Sequence, residues 1–484
     1  MRLHHLLFFA GFLYMGIANA QSGTGTTDET RPVTVVPPSP IAAELLKDVN
    51  VPVNYYTGTA QINLPLHSIK IGTINLPISL KYASNGIKVE EDAGWTGLGW
   101  SMETGGVIGR SLMGSADESV TGYRHSMFGM PDPVFDHDVA ISAWLDTLSL
   151  CTQYTLSLQK QHDLLPDQYF MNFNGHTARL FFDKDSHPYY SPYKAWKLSG
   201  NETDGFTVVT EDGMSYEFKA IENTSIEIAT YSDVPDPVPA NTAWHLTRII
   251  DANKADTLTI NYQALDYYTS SKNPEESLQI PLPSQGSIAG QTPPPGSSGT
   301  TTTTQFISGY YISSIVTRNQ RIEFWADSSR SDISNASLVT AGMPYKLDSI
   351  RVFSVNTGLP DQLLKTVHFS YDYFNASKPN AISRRLKLTA LGITDSTGTL
   401  AENYQFNYYD TLIPDKNSKG QDYWGYYNGI TDNTTLIPTW TDNLGYVHAG
   451  ANREPNPAYA YIGLLKQVQY PTGGTTSFEY EAHD

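Results

Sequence analysis

The sequence predicts an all-β protein built from antiparallel hairpins in series, and three observations carry that expectation. Apolar and polar residues alternate over short runs along most of the chain, as at Ile74, Leu76, Ile78, Leu80 and Tyr82, the signature of a half-buried strand. Turn formers separate the runs at close intervals, with 37 Gly and 29 Pro in 484 residues. Aromatic residues make up 12% of the chain, 31 of them Tyr, and such side chains fit a pleated surface.

The elements follow in order. Residues 1–20 read as a secretory signal. Arg2 supplies the positive end, residues 6–17 the apolar core, and Ala18-Asn19-Ala20 a small-x-small site that places cleavage between Ala20 and Gln21. The apolar run is shorter than the ~20 residues of a spanning helix, and no later stretch qualifies as a transmembrane segment. The expected destination is outside the cell or on its surface, with the periplasm as transit. Residues 21–50, rich in Gly, Thr and Pro at their start, form a flexible leader.

An amino-terminal β module is expected over 51–135. It contains the alternating runs at 60–66 and 74–82, with Pro65 and Pro77 confined to edges or bulges because proline cannot donate to a ladder. Its Gly94-Trp95-Thr96-Gly97-Leu98-Gly99-Trp100 stretch reads as a tightly packed hairpin or, alternatively, as an aromatic sugar platform. A helical insertion is expected over 136–166. Ile141, Trp144, Leu145, Leu148, Cys151 and Leu156 recur near helical spacing between Asp138 and Asp163, and Pro166 closes the run. Cys151, the single cysteine, sits on that stripe as a packing residue.

A β-hairpin module occupies 167–245, with turns at Asn174-Gly175 and Glu211-Asp212-Gly213. From 246 to 484 a hairpin unit recurs five times. Its strand pairs are 246–250 with 258–262, 312–316 with 321–324, 347–352 with 367–371, 388–393 with 404–408, and 464–470 with 475–480. A lone two-stranded hairpin is marginal in water, so such units are expected to stack. Two segments interrupt the array. Residues 281–305, with three consecutive prolines and a threonine run, read as a disordered loop. Residues 410–461 are a polar, aromatic-rich insertion. Phe478 and Tyr480 fall on one face of the last strand, whose outer edge is expected to be open.

The repeat resembles the Tyr-Asp (YD) repeats of Rhs-type proteins. Further stretches are similar to the amino-terminal region of Rhs-repeat proteins secreted by Bacteroidota-type bacteria. They are Tyr55-Tyr56-Thr57-Gly58-Thr59 with Ile62 and Leu64-Pro65-Leu66, then Gly86-Ile87-Lys88-Val89, Gly97-Leu98-Gly99-Trp100-Ser101, residues 421–429, and Tyr470-Pro471-Thr472-Gly473-Gly474. The Gly-Leu-Gly-Trp-Ser element is also similar to one in shell components of insecticidal toxin complexes. The resemblance implies sandwich-like sheets continuing into YD-type repeats, and a shell that encloses a carboxy-terminal effector. The partners it implies are downstream Rhs repeats or an effector domain, on the same or a neighbouring chain. A long further run of repeats, a self-cleavage core and a toxin domain do not occur in this sequence.

The chemistry-bearing residues form no familiar site pattern. There is no His-Glu-x-x-His, Gly-x-Ser-x-Gly, Walker loop or Gly-x-Gly-x-x-Gly. His125, His137, His162 and His176 lack ligand spacing, and Asp132, Asp136 and Asp138 lack the glycine turn and distal glutamate of a calcium loop. No cofactor, metal site or catalytic residue is therefore expected. A net charge of −18 without a Lys/Arg cluster argues against nucleic acid as a partner. Two rival functions remain beside the scaffold. Tyr423, Trp424 and Tyr426 are candidate contacts for a surface glycan in a carbohydrate-binding or adhesion protein. Paired carboxylates meeting only in space would make a polysaccharide-acting glycoside hydrolase.

Overall fold

The computed structural model describes residues 35–36, 61–84, 86–125, 165–229, 239–270, 275–279, 297–333, 344–441 and 447–481. Their long regular elements are all strands. The first part contains β1 (Val35–Val36), β2 (Gln61–Ile71), β3 (Ile74–Ala83), β4 (Trp100–Glu103) and β5 (Gly106–Met113). Next come β6 (Gln168–Phe173), β7 (His176–Phe182), β8 (Pro188–Ser191), β9 (Lys197–Asn201), β10 (Gly205–Val209) and β11 (Ser215–Ala229). The remainder is β12 (Ala240–Ile250), β13 (Thr257–Ser270), β14 (Glu275–Gln279), β15 (Ser297–Val316), β16 (Gln320–Asp327), β17 (Lys346–Ser354), β18 (Gln362–Phe374), β19 (Arg385–Asp395), β20 (Leu400–Tyr408), β21 (Trp440–Thr441), β22 (Val447–His448), β23 (Leu465–Gln469) and β24 (Thr475–Ser477).

The protein is all-β and antiparallel, and among the described residues its strands form sheets of nineteen, three and two. The hairpins fall where turn chemistry places them. Asn174 and Gly175 take φ of 44° and 81° between β6 and β7, the left-handed pair that matches strand twist in a two-residue turn. In the second half the five repeated pairs are β12–β13, β15–β16, β17–β18, β19–β20 and β23–β24. Each joins the next across an antiparallel ladder, through β13–β15, β16–β17, β18–β19 and β20–β23. Residues 409–464 are an excursion between two strands that pair directly with each other. Strand β12 ties the halves together. It crosses the 245/246 boundary, pairs with β11 and β13, and also meets β5 through Trp244 opposite Ile108.

The three-stranded sheet β2–β3–β4 supplies a second layer. In β3 the expected alternation is visible, with Ile74, Leu76, Ile78, Leu80 and Tyr82 buried. Pro65 sits at a register break in the β2–β3 pair, and Pro77 lies outside the part of β3, residues 79–82, that also pairs with β4. One hydrophobic core runs from Ile62 through Val468 and takes side chains from both layers. Each large apolar side chain it encloses contributes about 1.5–3 kcal/mol.

One expectation changes. Residues 297–305, expected within a disordered loop, are the start of β15, and Thr302 to Gln305 pair with residues 226–229 of β11. The threonine run is β-branched, and that preference for strands outweighs the low complexity of the segment. At the last strand, Phe478 and Tyr480 are half-buried, and their bonds run to β23 on the inner side of the strand, leaving the expectation for its outer edge untouched. The Phe478 N–H donates to the Lys466 carbonyl at 2.9 Å, and the Tyr480 hydroxyl donates to the Leu465 carbonyl at 2.8 Å. The signal region, the helical insertion from Asp138 to Asp163 with Cys151, and Asp132, Asp136, His137 and His162 lie outside the described residues.

Candidate functional site

The tryptophan–glycine stretch is a docking element, not a sugar platform. Trp95 and Trp100 are 5% and 1% exposed, which leaves no ring face for a ligand. Trp100 Nε1 donates to the Tyr408 hydroxyl at 2.8 Å, and its ring lies 4.6 Å from that of Phe406. Leu98 N donates to the Leu386 carbonyl, and Leu347 N donates to the Trp95 carbonyl, both at 2.9 Å. These bonds stitch the loop onto strands β17 and β19. Gly97 makes the close approach, because a Cβ there would meet Leu388 N at 3.1 Å.

The neighbouring segment, residues 86–95, is held by buried charge. Arg330 pairs with Asp332 at 2.8 Å and also donates to the Ala93 and Gly94 carbonyls. Lys416 pairs with Asp92 and donates to the Asp332 carbonyl. Arg385 donates to the carbonyls of Val89, Glu91 and Pro414. Burial works against the Asp332 carboxylate, but the Arg330 guanidinium outweighs it and holds the group below the ordinary range. Burial pushes Arg385 down to about 10 against the pull of Asp92 and Glu91, so it stays charged at neutral pH.

The aromatic turn at 421–429 separates into two kinds of residue. Tyr426 is half-buried, with a ring wall that a Cβ on Gly86 would touch. Tyr427 stacks edge-on against Tyr459 at 5.3 Å. Tyr423 and Trp424 instead stand 56% and 65% exposed. Their backbone is fixed from beneath. Asp422 Oδ1 accepts the N–H groups of Trp424 and Tyr426, both at 2.9 Å, an Asx-type turn. Val89 N donates to the Gly425 carbonyl at 2.9 Å, which anchors the tip to the docked segment. Arg453 lies 5.5 Å from the Tyr423 ring centre while donating to the carbonyls of Asp422 and Leu436. The geometry is a rigid turn presenting two aromatic faces beside a cation. Sequence reading found the aromatics and missed Arg453, which lies about thirty residues away with no local signal.

Carboxylates do meet in space. Asp117 and Asp167 are both fully buried. Each accepts the other's backbone N–H: Asp117 N reaches Asp167 Oδ2 at 3.1 Å, and Asp167 N reaches Asp117 Oδ1 at 3.1 Å. Asp167 also accepts from Arg110 Nε, Arg110 Nη2 and Met113 N. Beside them Arg124 pairs with Glu202 at 2.5 Å, and the Tyr169 hydroxyl donates to Glu202 at 3.2 Å. With no exposed surface, the pair offers a glycan no approach. At the surface, Asp183, Asp185 and His187 can bring one ligand atom each within 4.8 Å of one another. Asp183 already accepts His187 N, His187 Nδ1 and the Tyr189 hydroxyl, so this set closes as a turn. His176 packs among the rings of Phe173, Trp196 and Tyr216, and burial lowers its pKa. His125 ends a short 3-10 turn beside Arg124. Neither a family model nor a curated protein matches this chain.

Proposed function

We propose that this chain is a non-catalytic secreted β-scaffold, the front portion of an Rhs/YD-repeat type of shell that encloses or presents a carboxy-terminal effector. The observation that carries the reading is the series of five hairpins laid side by side in one sheet, with the 61–103 segment bolted across it by backbone hydrogen bonds and buried charge. Such a body is built for rigidity over a large surface. Export by the first 20 residues, with cleavage between Ala20 and Gln21, is part of the proposal. Among the described residues no helix is long and apolar enough to cross a membrane.

The experiment mixes the exported chain with the polypeptide encoded immediately downstream and follows co-elution and protease protection. A stable complex, weakened when the chain is cut back to residue 463, is the expected result. Independent elution with equal protease sensitivity overturns the shell. A second reading, glycan adhesion, draws on the exposure of Tyr423 and Trp424 above a fixed turn, with Tyr426 at its edge. Retention on a glycan array that disappears in Trp424→Ala favours it. Turnover of a polysaccharide by the purified chain would favour a glycoside hydrolase instead.

A further inference from the structure

The segment 114–125 follows β5 and is pinned over the ends of β5 and β6. Its own bonds are short-range: Ser119 N to the Ala116 carbonyl, Gly122 N to Ser119, and Arg124 N to Asp117. Its attachment to the body runs through the reciprocal bonds of Asp117 and Asp167 and through the pairs Arg110–Glu118 and Arg124–Glu202. Among the described residues, the charged or titratable groups facing Asp117 can be named. Arg110 comes from β5, Asp167 from the approach to β6, and Tyr169 from β6. Glu202 comes from the turn after β9, and Glu118 and Arg124 from the segment itself. Lys184 Nζ lies over the ring of Tyr123 at 5.8 Å.

Two guanidinium groups therefore face four carboxyl groups. The donors are divided unequally. Asp167 takes three N–H donors from Arg110 and Met113 in addition to the Asp117 N–H, and an ionised carboxylate is what such a set stabilises. Glu202 takes Arg124 and Tyr169. Glu118 takes Arg110 and is partly exposed. Among the described residues, Asp117 receives only the Asp167 N–H, with the Asp167 carboxylate beside it. A buried carboxyl with one neutral donor and an anion as neighbour keeps its proton.

We propose that Asp117 is a neutral carboxylic acid in the folded protein at neutral pH, and that its ionisation on the alkaline side unlatches the segment 114–125 from the β5 and β6 ends. Burial, reinforced by the Asp167 charge, pushes the Asp117 carboxyl up to about 8. The latch holds most firmly below the ordinary aspartate range. As pH rises from there to about 8 the opened segment, where the carboxylate is hydrated and ionised, gains on the closed one, and above about 8 the gain levels off.

The test is amide hydrogen exchange over 114–125 in the full chain at pH 7 and pH 9, corrected for intrinsic rates, in wild type and Asp117→Asn. The amide is a neutral isostere of the protonated acid. Opening should rise about tenfold in wild type, as expected for one proton released across that interval, and stay level in the variant. An unchanged wild type, or an equal rise in the variant, overturns the proposal. Infrared spectroscopy of wild type decides independently of the variant's folding. The carbonyl band of a buried neutral acid should be present at pH 7 and vanish with a midpoint near pH 8, and its absence at pH 7 refutes the latch.

Discussion

Two regions of the molecule bury charge, and they balance it in opposite ways. Around Arg385, three cations lie among the carboxylates of Asp92, Glu91, Asp332 and Asp415, and most of the guanidinium N–H groups are taken by backbone carbonyls of Val89, Glu91, Ala93, Gly94 and Pro414. Around Arg110, four carboxyl groups face two guanidiniums. The difference lies in what a peptide chain can spare. A carbonyl has two lone pairs and still accepts when its strand or turn has used one. An N–H is a single donor, and ladders consume it. A buried cation can therefore be solvated by a loop laid over it, while a surplus carboxylate runs short of donors and is neutralised by a proton.

The strongest way to break this contrast is to remove an acid from the cation-rich region. Asp332→Ala leaves Arg330 without its carboxylate, and Leu386 N loses its acceptor. It should cost about 3–5 kcal/mol in urea unfolding. The carbonyl-rich surroundings sharpen the prediction, since a loss below about 1 kcal/mol would mean that carbonyls alone suffice.

In the acid-rich region, Asp167→Asn should cost about 2–3 kcal/mol. It replaces the oxygen that takes both Arg110 bonds, but Glu118 remains on Arg110 at 2.6 Å. Asp117→Asn should already exceed wild type in stability at pH 7, because wild type must take up a proton there on folding and the amide need not, and the margin should widen by about 1.4 kcal/mol at pH 9. The same chemistry gives the regions opposite pH responses. Asp332 is held low, so its contribution is present above the ordinary aspartate range and lost as pH falls through its lowered folded value. Asp117 is held high, so its contribution is full below that range and lost as pH rises through about 8. Exchange mapped at acid and alkaline pH should open residues 86–95 first in acid and 114–125 first in alkali.

The smallest effect is expected away from both regions. Trp424→Ala should move stability by less than about 0.5 kcal/mol, since the ring is exposed and its turn is held by Asp422. A larger loss in thermal unfolding would place the ring inside the fold's own packing.

Alternation and turn chemistry made the strands legible. The period-2 run from Ile74 to Tyr82 and the Asn174-Gly175 turn are local signals, and local rules act within a few residues. The five repeated hairpins were readable for the same reason. The charged regions were not. Arg110 reaches Asp167 across 57 residues and Arg330 reaches Ala93 across 237, and no spacing rule links partners so far apart. The exposed pair at Tyr423 and Trp424 could be named from composition, but only packing distinguishes them from Tyr426 and Tyr427. The threonine run misled because low complexity and strand preference coincide there.

The long reach of these contacts also sets an order of events during synthesis. The Tyr82 hydroxyl accepts from Leu465 N, 383 residues later, and Trp100 Nε1 donates to Tyr408 after 308. The 61–103 segment leaves the ribosome early and cannot complete the burial of its apolar face until the last hairpins exist. Contacts of such separation make folding slow and leave sticky strands waiting. Assembly of this protein is thus a matter of keeping its beginning from sticking until its end arrives.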